Sequence, residues 1–186
     1  MKRINEIFYS LQGEGYNAGR AAVFVRFAGC NLRCPFCDTD FNSFHEMTDE
    51  DILSEMMSYP SRLAVLTGGE PTLQVDCAFV DMLHEHGFEV AIETNGTSVP
   101  PENIDWVTCS PKGGVVLTEC NELKYVYNGV GEVCDYGIKA DHYFIQPCDT
   151  GDDIKNKAII AACTDYVKDH PVWRLSLQTH KLVGFK

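Results

Sequence analysis

Residues 22–37 read AVFVRFAGCNLRCPFC, and this stretch decides the fold. A short apolar run, 22–28, ends at Gly29 and passes at once into Cys30-Asn-Leu-Arg-Cys34-Pro-Phe-Cys37. Val and Phe in a run this short, stopped by glycine, predict a buried strand. Three thiols on the loop that follows point to chemistry at that strand's carboxyl end. Runs at 63–67, 88–92, 104–108, 123–127, 142–145 and 172–177 read as further strands, and 7–11 as an extended piece. Between them, three helices are predicted. One covers 48–59, with Thr48 as N-cap, Asp51 at N3, and Ile52, Leu53, Met56 and Met57 on one face. The second covers 71–86, opened by Pro71 and stopped by Gly87. The third covers 152–168, with Ile154, Ala158, Ala161 and Ala162 at helical spacing.

Strands alternating with helices imply parallel β/α units. The segments after the strands are GGEP, ETNG, CSPK, QPCD and QTHK, besides the cysteine loop. Polar and glycine-rich groups therefore collect where parallel sheets and barrels build their sites. With 186 residues the chain is too short for a complete eight-fold barrel, which takes about 250. The expected fold is α/β: a single domain over 1–186, formed as a partial, abbreviated (β/α)6-type barrel with some connecting helices shortened or lost.

Composition narrows the function classes. Hydrophobic residues make up 45% and charged residues 23%, which excludes a disordered chain. The net charge of −12, from 15 basic and 27 acidic residues, argues against a nucleic-acid partner. MKRINEIFYS has no apolar core of a secretory signal, and no run approaches the roughly 18 residues of a membrane span. A cytoplasmic location without membrane contact is expected. There the nine cysteines stay reduced, serving as metal ligands or buried side chains. The six outside the triplet (Cys77, Cys109, Cys120, Cys134, Cys148 and Cys163) show no C-x-x-C spacing. Cys77 and Cys163 fall in predicted helices, where a buried position is expected. The acidic stretch 46–55 reads as a solvated helix start, and His84 and His86 as surface residues at a helix end.

Cys30, Cys34 and Cys37 can bind three irons of a cubane cluster and leave the fourth open to another ligand. Zinc, or plain reduced thiols, are the alternatives. Zinc sites come as two pairs or with nearby histidine, and the spacing of His45 fits no such pattern.

C-x-x-x-C-x-aromatic-C after a first strand, followed by Gly68-Gly69-Glu70-Pro71 after the second, resembles the radical S-adenosylmethionine superfamily. The resemblance implies a [4Fe–4S] cluster on Cys30, Cys34 and Cys37. Its open iron would hold S-adenosylmethionine, cleaved by one electron to methionine and a 5′-deoxyadenosyl radical. It also implies cofactor contacts from Phe36 at the adenine, Gly69 and Glu70 at the methionyl amine, and Ser110 and Lys112 at the ribose and carboxylate. Gln146 and Asp149 would lie near the adenine. Ser10-Leu11-Gln12-Gly13-Glu14-Gly15, Asp38-Thr39-Asp40-Phe41 and Gln178-Thr179-His180-Lys181 extend the likeness to the 7-carboxy-7-deazaguanine synthases, over 7–181.

That family contracts the ring of 6-carboxy-5,6,7,8-tetrahydropterin and releases ammonia, regenerating S-adenosylmethionine, in queuosine biosynthesis. The implied substrate residues are Leu11, Gln12, Gly13, Glu14, Thr67, His180 and Lys186, the last through its carboxylate. The resemblance also implies Mg²⁺ on Thr39, a flavodoxin-like reductant and a homodimer. Arg26 stands in an otherwise apolar strand, where an arginine needs an anion, and the substrate carboxylate suits it. A glycyl-radical-enzyme activase would share the triplet and GGEP but not SLQGEG or QTHK. A non-catalytic iron–sulfur or zinc module would need a fourth protein ligand.

Overall fold

The computed structural model describes residues 1–34, 37 and 43–186. Among these residues nine strands form one sheet. They are β1 (Lys2–Leu11), β2 (Ala21–Phe27), β3 (His45–Met47), β4 (Leu63–Gly68), β5 (Glu89–Thr94), β6 (Trp106–Cys109), β7 (Glu119–Tyr127), β8 (Lys139–Pro147) and β9 (Trp173–Leu175). Their order is β3-β1-β2-β4-β5-β6-β7-β8-β9. From β2 to β9 every neighbour is parallel, and β1 runs antiparallel to β2 and β3. The sheet does not close strand to strand, so it is a partial barrel, as expected from the chain length.

Alternation sorts the side chains into two faces. Val23, Val25, Phe27, Ala64, Leu66, Val90 and Ile92 point outward and are covered by helices α1 (Asp49–Met57) and α2 (Cys77–Glu85). Leu123 and Ile145 pack outward against Ile159 and Cys163 of α3 (Asp153–Asp169). The concave face carries a smaller apolar layer: Phe8, Ala22, Phe24, Leu63, Val65 and Ala91, with Trp106 against it. The connections β5–β6, β6–β7 and β7–β8 hold no helix, the abbreviation expected.

Several expectations are corrected. Residues 71–86 are not one helix: Pro71–Leu73 form a single 3-10 turn, and α2 begins afresh behind Asp76, whose side chain accepts from Phe79 N. The Glu70 side chain accepts from Thr72 N and caps the start of that turn, which ends at Gln74. In α3 the buried stripe is Ile159 and Cys163, while Ile154 is 81% exposed, because the helix docks by its later turns onto β8 and β9. In α1, Met57 faces solvent, although Ile52 and Met56 are buried as expected. Cys77 is exposed, being the first helical residue. The strand expected over 172–177 shrinks to Trp173–Leu175, and β3 and a short helix α4 (Thr179–Val183) were not anticipated.

Candidate functional site

The parallel registers place polar side chains in one concave row. Arg26 pairs with Thr67, Glu93 with Thr108, Thr108 with Glu122, and Glu122 with His142. A hydrogen bond of 2.8 Å from Thr67 Oγ1 to Glu93 Oε2 joins the two halves of the row. Arg26, Thr67 and Glu93 of this row, with the loops above them, line a cavity of about 470 Å³.

Its rim is made by the strand-end loops. Cys30, Cys34 and Cys37 line it together with Gly68, Gly69, Asn95, Ser110 and Lys112. Burial pushes the Cys34 thiol up from its ordinary value; Cys37 and Cys30 add to this, and the Lys112 ammonium opposes it. The three thiols and Lys112 thus share one electrostatic neighbourhood. Leu32 N donates to Cys30 Sγ at 3.4 Å, and Asn95 Nδ2 approaches the same sulfur at 3.9 Å. Among the described residues no three Cys, His, Asp or Glu side chains close around one point as a single ion needs. Thiols spread along one rim suit a cluster, in which each iron takes its own thiolate.

GGEP is stitched to the cysteine loop. Gly69 N donates to Phe27 O and Glu70 N to Gly29 O, both at 2.9 Å. A side-chain carbon on Gly69 would lie 1.9 Å from Gly29 O, so only glycine permits this approach. Glu70 turns away from the cavity and is 0% exposed. Its Oε1 accepts from Thr94 Oγ1 and Thr72 Oγ1 at 2.7 Å, and its Oε2 accepts from Asn95 N at 2.7 Å. In this arrangement the Glu70 side chain fixes the ETNG segment beside the cysteine loop. Ser110 is held by its N–H on Thr94 O, and Lys112 donates to Ser110 O. Asp149 sits on the rim, held well below its usual range first by Lys181, then by Gly151 N and the Asn156 amide.

The floor comes from the opposite end of the strands. Register places the 12–20 turn at the amino end of β2, yet Leu11, Gln12, Gly13 and Glu14 line the same cavity. Glu14 reaches Lys124 Nζ at 2.5 Å and Gln178 Nε2 at 2.9 Å. Gln12 Nε2 donates to Glu93 Oε1 at 3.1 Å. Gln146, 5% exposed, accepts from Ser176 Oγ. Thr179 N and Oγ1 both donate to Gly13 O, and Gly15 N donates to Ser176 Oγ. A side-chain carbon on Gly13 would lie 2.4 Å from His180 Nδ1, so His180 also borders the floor. These bonds bring the segment after β9 against the turn after β1.

At the open edge, Arg26 Nε donates to Glu6 at 3.0 Å, and Lys186 Nζ reaches the other Glu6 oxygen. Both cations lie over the Phe8 ring. The Lys186 backbone oxygen accepts from Ser10 Oγ at 2.6 Å, so the residue lies at the cavity. The expected anionic partner of Arg26 thus exists within the chain as Glu6, shared with a second cation. Phe36 and Thr39 lie outside the described residues. Of the other expected site residues, all but Glu70 line the one cavity.

Glu93 and Lys124 escaped the sequence reading. Glu93 was visible only as the first residue of ETNG, and Lys124 only as a cation within an apolar strand, the same signal that marked Arg26.

The radical SAM superfamily model matches residues 24–107. A 7-carboxy-7-deazaguanine synthase of Bacteroides thetaiotaomicron is 53% identical over the whole of both chains. One from Bradyrhizobium diazoefficiens is 43% identical, covering 98% of each. A crystal structure of QueE from Escherichia coli aligns with a TM-score of 0.76 at 30% identity, over 96% of this chain and 94% of that one.

Proposed function

This chain belongs to the radical S-adenosylmethionine superfamily and, within it, to the 7-carboxy-7-deazaguanine synthases; from that premise we propose that its cavity takes 6-carboxy-5,6,7,8-tetrahydropterin and contracts its ring to 7-carboxy-7-deazaguanine, releasing ammonia. Superfamily membership brings a [4Fe–4S] cluster and S-adenosylmethionine with it. When bound, they supply one electron and a 5′-deoxyadenosyl radical that takes hydrogen from C6 of the substrate.

The observation that carries the substrate reading is the layout of charge in the concave row. Arg26 and Glu93 lie two strands apart with Thr67 between them, a gap of about 10 Å at sheet spacing. A bicyclic ring with a carboxylate at one end and a guanidine-like N–H edge at the other suits a gap of that order. Arg26, backed by Lys186, meets the carboxylate. Glu93 and Glu14 are acceptor-only groups when ionised, and they meet the N–H edge. Gln12 and the backbone of 11–13 complete the floor, and His180 covers it.

Cys30, Cys34 and Cys37 hold the cluster at the rim. Gly69, Ser110, Lys112, Gln146 and Asp149 border the space beside it that would take the cofactor, and the family's motif would assign Phe36 to the adenine. Mg²⁺ would take the Thr39 hydroxyl with the substrate carboxylate and waters, since a lone hydroxyl binds a hard cation weakly. A flavodoxin-like protein would supply the electron to a homodimer. No helix among the described residues is long and apolar enough to cross a membrane.

The test is an anaerobic assay of the reconstituted protein with reductant, S-adenosylmethionine and 6-carboxytetrahydropterin, read by product mass. Formation of 7-carboxy-7-deazaguanine by the wild type, and none by Cys34→Ala, is expected. Substrate returned unchanged by an iron-replete wild type refutes the reading.

A further inference from the structure

Lys124 stands on the concave face of β7, 4% exposed. Three carboxylates face it, from the 12–20 turn, from β5 and from its own strand. Glu14 of the 12–20 turn lies at 2.5 Å, and Glu93 of β5 at 3.8 Å. Glu122 of β7, 2% exposed, adds its charge while its Oε2 accepts from Tyr16 N at 3.0 Å. The other polar groups on Glu14 are the neutral amides of Gln178 and Gln146.

Glu14 and Glu122 make an internal comparison. Glu122 is fully buried and Glu14 largely so, with 16% of its side chain exposed, and burial alone drives a carboxyl toward its neutral form. Glu122 follows that rule: burial pushes it up, and Lys124 only partly offsets this. Glu14 goes the other way, held well below the usual carboxylate range against its burial by the Lys124 ammonium. The difference is direct contact with Nζ, which Glu14 has and Glu122 lacks. A neutral carboxyl would present an O–H donor to the substrate's N–H edge, two donors facing each other.

We propose that Lys124 is a positioning residue for the substrate: its ammonium, in contact with Glu14, clamps that group as an acceptor aimed at the pterin's N–H edge, with Glu93 beside it. This rests on the reading that Glu14 and Glu93 meet that edge.

The experiment compares Lys124→Met, Lys124→Arg and Glu14→Gln in the reconstituted enzyme, measuring kcat and KM for 6-carboxytetrahydropterin between pH 6 and 8. Lys124→Met is expected to raise KM at pH 7 by about tenfold or more, with a smaller change in kcat. Its ratio to the wild-type KM should grow about threefold or more from pH 8 to pH 6, because an unclamped Glu14 takes up a proton as pH falls. Lys124→Arg should restore most of the loss. A Lys124→Met defect that is equal at every pH, or confined to kcat, overturns the proposal.

If Lys124→Met fails to fold, Glu14→Gln and Glu14→Gln/Lys124→Met decide. With no carboxylate to clamp, losing the ammonium should add less than about threefold to KM, and a further tenfold loss overturns the proposal. If Glu14→Gln binds the pterin like wild type, the reading of the site itself fails. If Glu14→Gln loses the pterin while Lys124→Met behaves as wild type, the site stands and only the role of Lys124 falls.

Discussion

Glu70→Gln separates a carboxylate that serves the fold from one that serves a cofactor. Its two oxygens accept from Thr94 Oγ1, Thr72 Oγ1, Thr72 N and Asn95 N, between 2.7 and 3.2 Å. Glutamine keeps one acceptor oxygen and puts an NH₂ in place of the other. If the NH₂ replaces Oε2, Asn95 N–H loses its acceptor and faces a second donor. A hydrogen bond to a charged group is worth about 1.5–3 kcal/mol, and a buried donor left unpaired costs about 1–3 kcal/mol. The sum is about 4 kcal/mol. For a chain of this size that lowers Tm by about 8–16 °C. The assay is urea and thermal unfolding of the protein before iron is added. Destabilisation of that size in the iron-free protein is expected. If Glu70→Gln unfolds within about 0.5 kcal/mol of wild type and yet fails to bind S-adenosylmethionine, the carboxylate serves the cofactor and the reasoning is refuted.

Three further outcomes are expected. Gly69→Ala, whose new carbon would press on Gly29 O, should displace GGEP from the cysteine loop and cut iron incorporation several-fold; normal iron content would show that the two loops tolerate separation. Arg26→Ala should raise the substrate KM by about 10- to 100-fold, less than a fully buried pair would give because Lys186 remains and the site is partly solvated; an unchanged KM would move the carboxylate elsewhere. The stabilisation from Asp149 and Lys181 should be present above the ordinary aspartate range and lost only as pH falls below it, because the folded carboxyl is depressed. Urea midpoints of wild type and Lys181→Ala should therefore differ at pH 7 and converge toward pH 2, and a constant difference would exclude this linkage.

Much of the site was legible because its chemistry is local in sequence. The cysteine loop, GGEP and SPK each follow a strand, and strand direction alone gathers them at one rim. What escaped depends on partners far away along the chain. Glu70 reads as a free carboxylate until Thr94 and Asn95 are known to lie beside it. Lys124 is only a cation in an apolar run until β7 is set in register beside Glu14, and the chain's own anion for Arg26 is not visible until Glu6 of β1 is seen opposite it. The break in 71–86 was missed because Pro71 and Gly87 bracket a helical pattern, while the interruption falls at 74–76, where Asp76 caps a fresh helix on Phe79 N. The docking face of α3 could not be read from periodicity, since alanines at helical spacing face solvent as readily as a core. SLQGEG was legible as a candidate site segment but not as a floor: it reaches the cavity from the amino end of β2, across the sheet.

The bonds between the turn after β1 and the segment after β9 have a temporal meaning. Glu14 meets Gln178 across 164 positions, and Ser10 meets Lys186 across 176. A nascent chain whose residues 176–186 are still inside the ribosome can already display its three thiols, yet it lacks the clasp that seats the substrate floor. The rim can therefore take shape while the floor of the cavity is still open. Contacts this distant also slow the final folding step.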